Sequence, residues 1–299
     1  MRDKKKLGQL TRRQAILSLT ALTAGTLIKP ASIFGAYSAK SKTRFVVMGD
    51  FGTGSSEQCA LANQMYEAHR QSEIEFILAA GDNIYPNGAG RFFAKNFEQP
   101  YAALLKENVK FHTVLGNHDV EEGRKDQLQY PLFNMNGANY YTMGRGNGLV
   151  DFFLLDSTDL ERTQMTWIEN SLRSSKAIWK IAIFHHPIYS SAKKHGSNPK
   201  IQNRLEPLFK NYGVQVVFTG HDHIYERVKP QHGIQHFVTG GAGKVRHGDV
   251  DLSSEIRAAS YDGGTHFMLI ELDETEIAFK AITANGEVVD NGVIRQSGF

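Results

Sequence analysis

The sequence predicts an α/β protein, a four-layer αββα sandwich of two mixed β-sheets flanked by helices. Three observations carry that expectation. Five short runs are apolar at nearly every position, the pattern of strands covered on both faces. Helix-patterned stretches separate several of them, and strand–helix–strand order makes successive strands parallel, with their C-terminal ends along one edge. Past residue 260, THFMLIELDETEIAFKAITANGEVVDNGVIRQ reads as three strands joined by short turns, one at Asn285-Gly286, expected to complete a second sheet.

Ahead of that body, residues 1–40 read as a signal peptide. A basic segment precedes a modest apolar stretch, Ala15–Ile28, and then Pro30 and small residues. That is the order of an export signal, and its apolar part is short for a membrane span. Arg12-Arg13, between Thr11 and the apolar run, fits the twin-arginine signal of bacterial export. A general secretory signal that happens to hold two arginines is the other reading. Cleavage is open within roughly residues 36–43. The expectation is a signal at 1–40 and one domain at 41–299. The twin-arginine export machinery is then a partner, the location is periplasmic or secreted, and there is no permanent membrane span.

The leader also explains the charge. The 34 Lys/Arg and 31 Asp/Glu give a formal net charge of +3, but residues 1–40 hold eight of the basic and one of the acidic residues. The remainder, 26 basic against 30 acidic, carries −4, so the body lacks the basic excess that nucleic-acid binding needs. A single cysteine, Cys59, excludes an intrachain disulfide and a thiolate zinc site. It lies in SSEQCALANQMYEAH, which reads as a helix with Ser55 or Ser56 as N-cap and Leu61, Met65 and Ala68 on one face. There Cys59 suits a small apolar helix position better than a reactive thiol.

Each apolar run ends in the same kinds of side chain. RFVVMGDFG ends in Gly49-Asp50. FILAAGDNIY ends in Gly81-Asp82 and continues to Tyr85, and FHTVLGNHD ends in Gly116-Asn117-His118-Asp119. IAIFHHP ends in His185-His186-Pro187, and VQVVFTGHDH ends in His221 and His223. Between the second and third runs, GRFFAKNFEQPYAALLKEN reads as helical in pieces. Between the fourth and fifth, IQNRLEPLFKNYG reads as a helix ended by Gly213. Gly-Asp, His-His-Pro or His-x-His alone is most often a turn. Turns draw freely on Gly, Pro, Ser and Lys, whereas these five draw almost only on metal-ligand types. Open sheets bind ligands at this strand edge, so the five ends are expected to meet around metal.

The ordered set Gly-Asp-x-Gly (49–52), Gly-Asp-Asn-x-Tyr (81–85), Gly-Asn-His-Asp (116–119), His185 and Gly-His-Asp-His (220–223) resembles the calcineurin-like metallophosphoesterases. The tyrosine makes it similar to the purple acid phosphatases, in particular their small, single-domain, animal-type class. The likeness runs from about residue 43 to at least Gly243 and takes in FEQPYAALLKENVKFHTVLGNHD, VDFFLLDS and HHPIYSSAKKHG. It implies a metallophosphoesterase-like fold with one metal bound by Asp50, Tyr85 and His223. A second would be bound by Asn117, His185 and His221, with Asp82 bridging the two and His186 in support. It also implies an acid phosphatase acting on small phosphate monoesters, in which metal-bound hydroxide attacks phosphorus and an alcohol and inorganic phosphate leave.

The donor types agree with a dinuclear centre of unlike metals. A phenolate with two carboxylates suits Fe(III), whereas two imidazoles, an amide oxygen and a shared carboxylate suit Fe(II), Zn(II) or Mn(II). Tyrosinate on Fe(III) absorbs visible light. Two metals clamp both oxygens of an in-line displacement. Twin-arginine export carries folded proteins, which suits one that takes up its metal before leaving the cytoplasm.

The leaving alkoxide needs a proton. His118, next to Asn117, is the first candidate donor, with Asp119 to hold its protonated form. His195, in the loop SAKKHGSN, is the second, beside its reading as an exposed loop histidine. Lys193 and Lys194 read as solvated. TGGAGKVRHG (239–248) fails the spacing of a phosphate-binding loop and reads as a turn near the site. No Gly-x-Ser-x-Gly elbow supports a serine esterase. A phosphodiesterase or nucleotidase on the same scaffold is the nearest rival, and Tyr85 stands against it. A metal-binding protein without catalysis is a further rival, against which the complete ligand set stands.

Overall fold

The computed structural model describes residues 42–296. The leader, with its Arg12-Arg13 pair and cleavage region, lies outside the described residues.

The strands, in chain order, are β1 (Thr43–Met48), β2 (Phe76–Ala79), β3 (Lys110–Thr113), β4 (Tyr141–Arg145), β5 (Val150–Leu154), β6 (Trp179–Ile183), β7 (Val216–Thr219), β8 (Tyr225–Val228), β9 (Gln235–Thr239), β10 (Arg257–Tyr261), β11 (His266–Leu272), β12 (Glu276–Thr283) and β13 (Val288–Arg295). They form two mixed sheets, ordered β13-β12-β11-β1-β2-β3 and β10-β8-β9-β7-β6-β5-β4. Within the first, β1, β2 and β3 are parallel; within the second, β5, β6, β7 and β9 are parallel.

The strands β1, β2, β6 and β7 are apolar at nearly every position because each feeds two cores. Phe45 and Val47 of β1 and Phe76 and Leu78 of β2 face Phe152, Ile181, Ile183, Val216 and Phe218 of the second sheet. The alternate residues Val46, Met48, Ile77 and Ala79 face outward and are covered by Leu61 and Met65 of α1 (Ser56–Gln71) and by Phe97 and Tyr101. On the other side, Phe153, Ala182 and Val217 are covered by Ile168 and Leu172 of α2 (Arg162–Ser174) and by Ile201, Leu205 and Phe209 of α3 (Pro199–Tyr212). Helix, sheet, sheet, helix is the four-layer order. Phe152 wedges the sheets together, its ring 5.2 Å from that of Phe45 and 5.7 Å from that of Phe76, both edge-on. Burying each such ring stabilises the sandwich by roughly 1.5–3 kcal/mol.

Local signals set the helix ends. Ser55 caps α1 by accepting the Gln58 N–H. Asn198 caps α3 by accepting from Lys200 and Ile201, Pro199 takes the first position, and Gly213 ends the helix in the left-handed conformation.

The terminal strands correct one expectation. β11, β12 and β13 do not complete a second sheet; β11 pairs antiparallel with β1 and extends the first. The pairing covers the edge of β1 that β2 leaves open, and it sends Met268 and Ile270 into the inter-sheet core and Phe267 and Leu269 toward the helices. The second sheet is completed by β8, β9 and β10. Their pattern is interrupted by Glu226-Arg227, and Arg227 is neutralised by Asp290 of β13 at 2.7 Å. The C-terminal ends of β1, β2 and β3 and those of β6 and β7 consequently face one another across the top of the sandwich.

Candidate metal centre

All seven expected ligands lie on the loops that leave those five strand ends. Asp50 follows β1, Asp82 and Tyr85 follow β2, Asn117 follows β3, His185 follows β6, and His221 and His223 follow β7. Three of them turn at once: Asp50, Asp82 and His221 have φ of 58°, 49° and 72°. Left-handed backbone at a non-glycine residue costs roughly 1–3 kcal/mol and persists where the surroundings over-determine it. Here the turn aims each side chain into the gap between the sheets. Glycines make room. A Cβ on Gly116 would collide with the Asp82 carboxylate, and one on Gly220 with that of Asp50.

The donors fall into two groups. The Tyr85 hydroxyl lies 3.0 Å from Asp50 Oδ1, 3.0 Å from Asp82 Oδ2 and 3.4 Å from His223 Nε2. Asp50 Oδ2 is already used, accepting the His221 N–H at 2.8 Å. In the second group Asn117 Oδ1 lies 3.1 Å from His185 Nε2 and 3.0 Å from His221 Nδ1, and the two ring nitrogens are 3.3 Å apart. Asp82 belongs to both: Oδ2 faces Tyr85, and Oδ1 lies 3.5 Å from His185 Nε2. His185 donates its Nδ1 proton to Ala80 O at 2.9 Å, which leaves Nε2 as a bare lone pair. That lone pair points at acceptors, Asn117 Oδ1 and Asp82 Oδ1, an arrangement that a cation between them would satisfy.

The electrostatics fit the same group. Burial raises Asp50 well above the usual carboxylate range, and the Asp82 charge adds to it. Burial likewise raises Asp82, and it raises the Tyr85 phenol, with further help from Asp50 and Asp82. The imidazoles move the other way: burial lowers His185 and His221 and brings His223 down to about 4. Neutral imidazoles and under-compensated acids form a donor set that gains from multivalent cations.

His118 sits at the rim. Its N–H donates to Asp82 Oδ1 at 2.9 Å and its ring Nδ1 pairs with Pro86 O at 2.7 Å, so Nε2 is the ring nitrogen left to the site, 4.0 Å from Asp82 Oδ2. His195 is exposed on the loop after β6, its ring 4.3 Å from that of His221. His186 pairs through Nδ1 with Ser157 Oγ at 2.9 Å and packs 4.6 Å from the His221 ring.

Asp119 corrects a second expectation, because its carboxylate does not reach His118. It is fully buried and accepts from Asn83 N, Ile84 N, Gly116 N and Gln127 Nε2 at 2.6–3.1 Å. With Asn83 Nδ2 at 3.1 Å, five donors outbid one half-buried imidazole, so Asp119 braces the Asp82 loop instead. Burial, then the Asp82 charge, push it up to about 7.

Sequence reasoning passed over Lys244. Its segment is drawn to β1 by Ala242 N to Gly49 O (3.1 Å) and Gly243 N to Asp50 O (2.9 Å), and its ammonium lies 3.7 Å from the Tyr85 ring centroid. The available signal was the basic pair Lys244 and Arg246 directly after a glycine run, in a turn already placed near the site.

Residues 43–225 match the family described as calcineurin-like phosphoesterase. Purple acid phosphatase 17 of Arabidopsis thaliana is 29% identical over 79% of this chain and 78% of its own length. Tartrate-resistant acid phosphatase type 5 of Rattus norvegicus is 26% identical over 83% and 88%. Among solved structures, GAP50, the anchor in the inner membrane complex of Plasmodium, superposes with a TM-score of 0.75 at 21% identity, over 87% of this chain and 90% of that one.

Because Asp50 and Tyr85 hold their protons above the usual ranges, an arriving cation must displace them. Adding Zn(II) or Fe(III) to metal-free protein at neutral pH is expected to release protons, and affinity is expected to climb as pH rises. Calorimetry in buffers of different ionisation enthalpy counts the protons. None released, with affinity independent of pH, would contradict this picture of the site.

Proposed function

The chain belongs to the calcineurin-like phosphoesterase family and is, by its likeness to the purple and tartrate-resistant acid phosphatases, a metal-dependent phosphoric monoester hydrolase; from that premise we propose an exported acid phosphatase with a dinuclear centre of Fe(III) and a divalent Fe, Zn or Mn. The observation that carries the proposal is the Asp82 carboxylate, with Oδ2 on the Tyr85 hydroxyl of one donor group and Oδ1 facing His185 Nε2 of the other. The harder, more anionic group, with its phenol and two carboxylates, suits Fe(III), and the group with two imidazoles and an amide suits the divalent ion. Two cations held by these residues would supply Lewis acidity, drawing charge from phosphate oxygens and making hydroxide available near neutral pH.

The chain's own residues hold and move the proton. Pro86 O accepts the His118 Nδ1 proton and fixes the ring, and Asp82 fixes its backbone, so the proton given to the site is the second one, carried on Nε2 by the imidazolium form. As the phosphorus–oxygen bond breaks, the electron pair stays with the leaving oxygen and that proton joins it, giving the alcohol. His195 stands opposite, over His221. Its loop is pinned by Lys193 N to Asp249 O (2.7 Å) and Lys194 N to Asp249 Oδ1 (3.0 Å), which supports the reading that the imidazole grips a phosphate oxygen or the leaving group.

The basic, apolar, small-residue order of residues 1–40 supports export, and no helix among the described residues is long and apolar enough to cross a membrane. Exchanging Arg12 and Arg13 for lysine is expected to trap the protein in a bacterial cytoplasm. Undiminished transport of that variant would point to the general secretory route.

The activity is tested by phosphate release. Purified protein is expected to hydrolyse alkyl and p-nitrophenyl monoesters and to prefer them to the corresponding diester. His118→Ala is expected to lower kcat for alkyl phosphates by about 10²–10⁴-fold, and far less for p-nitrophenyl phosphate, whose leaving group needs no proton. Equal losses on both would remove His118 as the donor. Preference for the diester would favour a phosphodiesterase, and no turnover of metal-loaded protein a binding role.

A further inference from the structure

We propose that Lys244 is a positioning residue that tunes the metal centre through Tyr85: its ammonium, held over the ring, weakens the electron-donor strength of the phenolate presented to Fe(III). The inference rests on the tyrosinate reading above.

Lys244 is placed by backbone bonds on both sides. Gly243 N donates to Asp50 O at 2.9 Å and Arg246 N donates to His223 O at 3.0 Å, so residues 243–246 are tied to two ligands of the same group that contains Tyr85. The chain passes so close to β1 that a Cβ on Gly243 would collide with the Phe51 carbonyl. From that track the side chain reaches the face of the ring, with Nζ 3.7 Å from the centroid. The ring is only 4% exposed, and its hydroxyl is held at 3.0 Å by both Asp50 and Asp82, so it presents a fixed face.

The Asp82 and Asp50 charges also attract the ammonium, but the group it rests on is the ring. Lys244 is half-buried, and among the described residues its ammonium makes no ion pair and no hydrogen bond. A half-buried, unpaired lysine is an expense that the electron-rich face of an aromatic ring offsets, more so when the ring carries phenolate charge. A positive charge nearer to the ring than to the iron lowers the filled phenolate orbitals more than the empty metal orbitals. The charge-transfer band then lies at shorter wavelength than it would without Lys244.

The test is the visible spectrum of purified iron-loaded protein, with iron content measured on the same samples. Lys244→Met and Lys244→Gln are expected to move the band to longer wavelength by on the order of 20 nm, with iron per chain unchanged. Lys244→Arg, which keeps the charge, is expected to move it much less, and Tyr85→Phe to abolish it. A purple protein whose band stays in place in both Met and Gln variants overturns the tuning role and leaves the tyrosinate reading intact. A colourless protein loaded with zinc or manganese overturns both. Iron loss in all three Lys244 variants, including Arg, overturns the tuning role in favour of a purely structural one.

Discussion

Everything at the centre depends on how closely two sheets bring their strand ends together. Gly49, at the end of β1, and Gly220, at the end of β7, approach until a Cβ on Gly49 would lie 3.2 Å from Gly220 Cα. That approach lets Asp50 of one sheet accept the backbone N–H of His221 on the other. Each group of donors is mixed in origin: Asp50 and Tyr85 from the first sheet meet His223 from the second, and Asn117 meets His185 and His221. Neither sheet holds either group alone. Cations bound there would cross-link the sandwich, and their binding energy would count toward its stability.

Without cations the arrangement is costly. Asp50, Asp82 and Tyr85 are buried together, three loop residues stand in left-handed backbone, and lone pairs of His185 and Asn117 face each other. The expense is confined to one end of the molecule. Away from it, the inter-sheet aromatic contacts around Phe152 and the helix-covered outer faces follow ordinary packing. A rigid body bearing a strained, under-compensated edge is what a hydrolytic metal centre requires, because the donors are already in position when the metals arrive. The likeness to GAP50, an anchor, is a reminder that the fold alone assigns no activity. The donor set at the edge carries that weight.

Much of this was legible in the sequence. The five strands announced themselves because inner and outer faces both needed apolar residues, and every expected ligand lies at their ends because a strand end is where a side chain can leave the sheet. The start of α1 and the end of α3 were legible through Ser55 and Gly213, whereas the Asn198 cap of α3 was not read. What escaped was pairing between distant segments. Nothing local in β11 says that its partner is β1, and the charges of β8 hide a strand whose Arg227 is neutralised by Asp290 far along the chain. Asp119 was misread because sequence adjacency to His118 says nothing about direction. The short helix it begins turns the carboxylate toward five donors of its own. Lys244 was passed over because its importance lies in contact with Tyr85, which spacing cannot show.

The central claim is that Asp82 sits between two cations, one on the Tyr85 side and one on the Asn117 side. Anomalous diffraction from crystals of the protein as purified, collected on either side of the iron, zinc and manganese edges, tests it most directly. The account predicts two peaks flanking the Asp82 carboxylate, with iron at the Tyr85 position. A single peak, or metal that leaves Tyr85 and Asp82 unliganded, would contradict it.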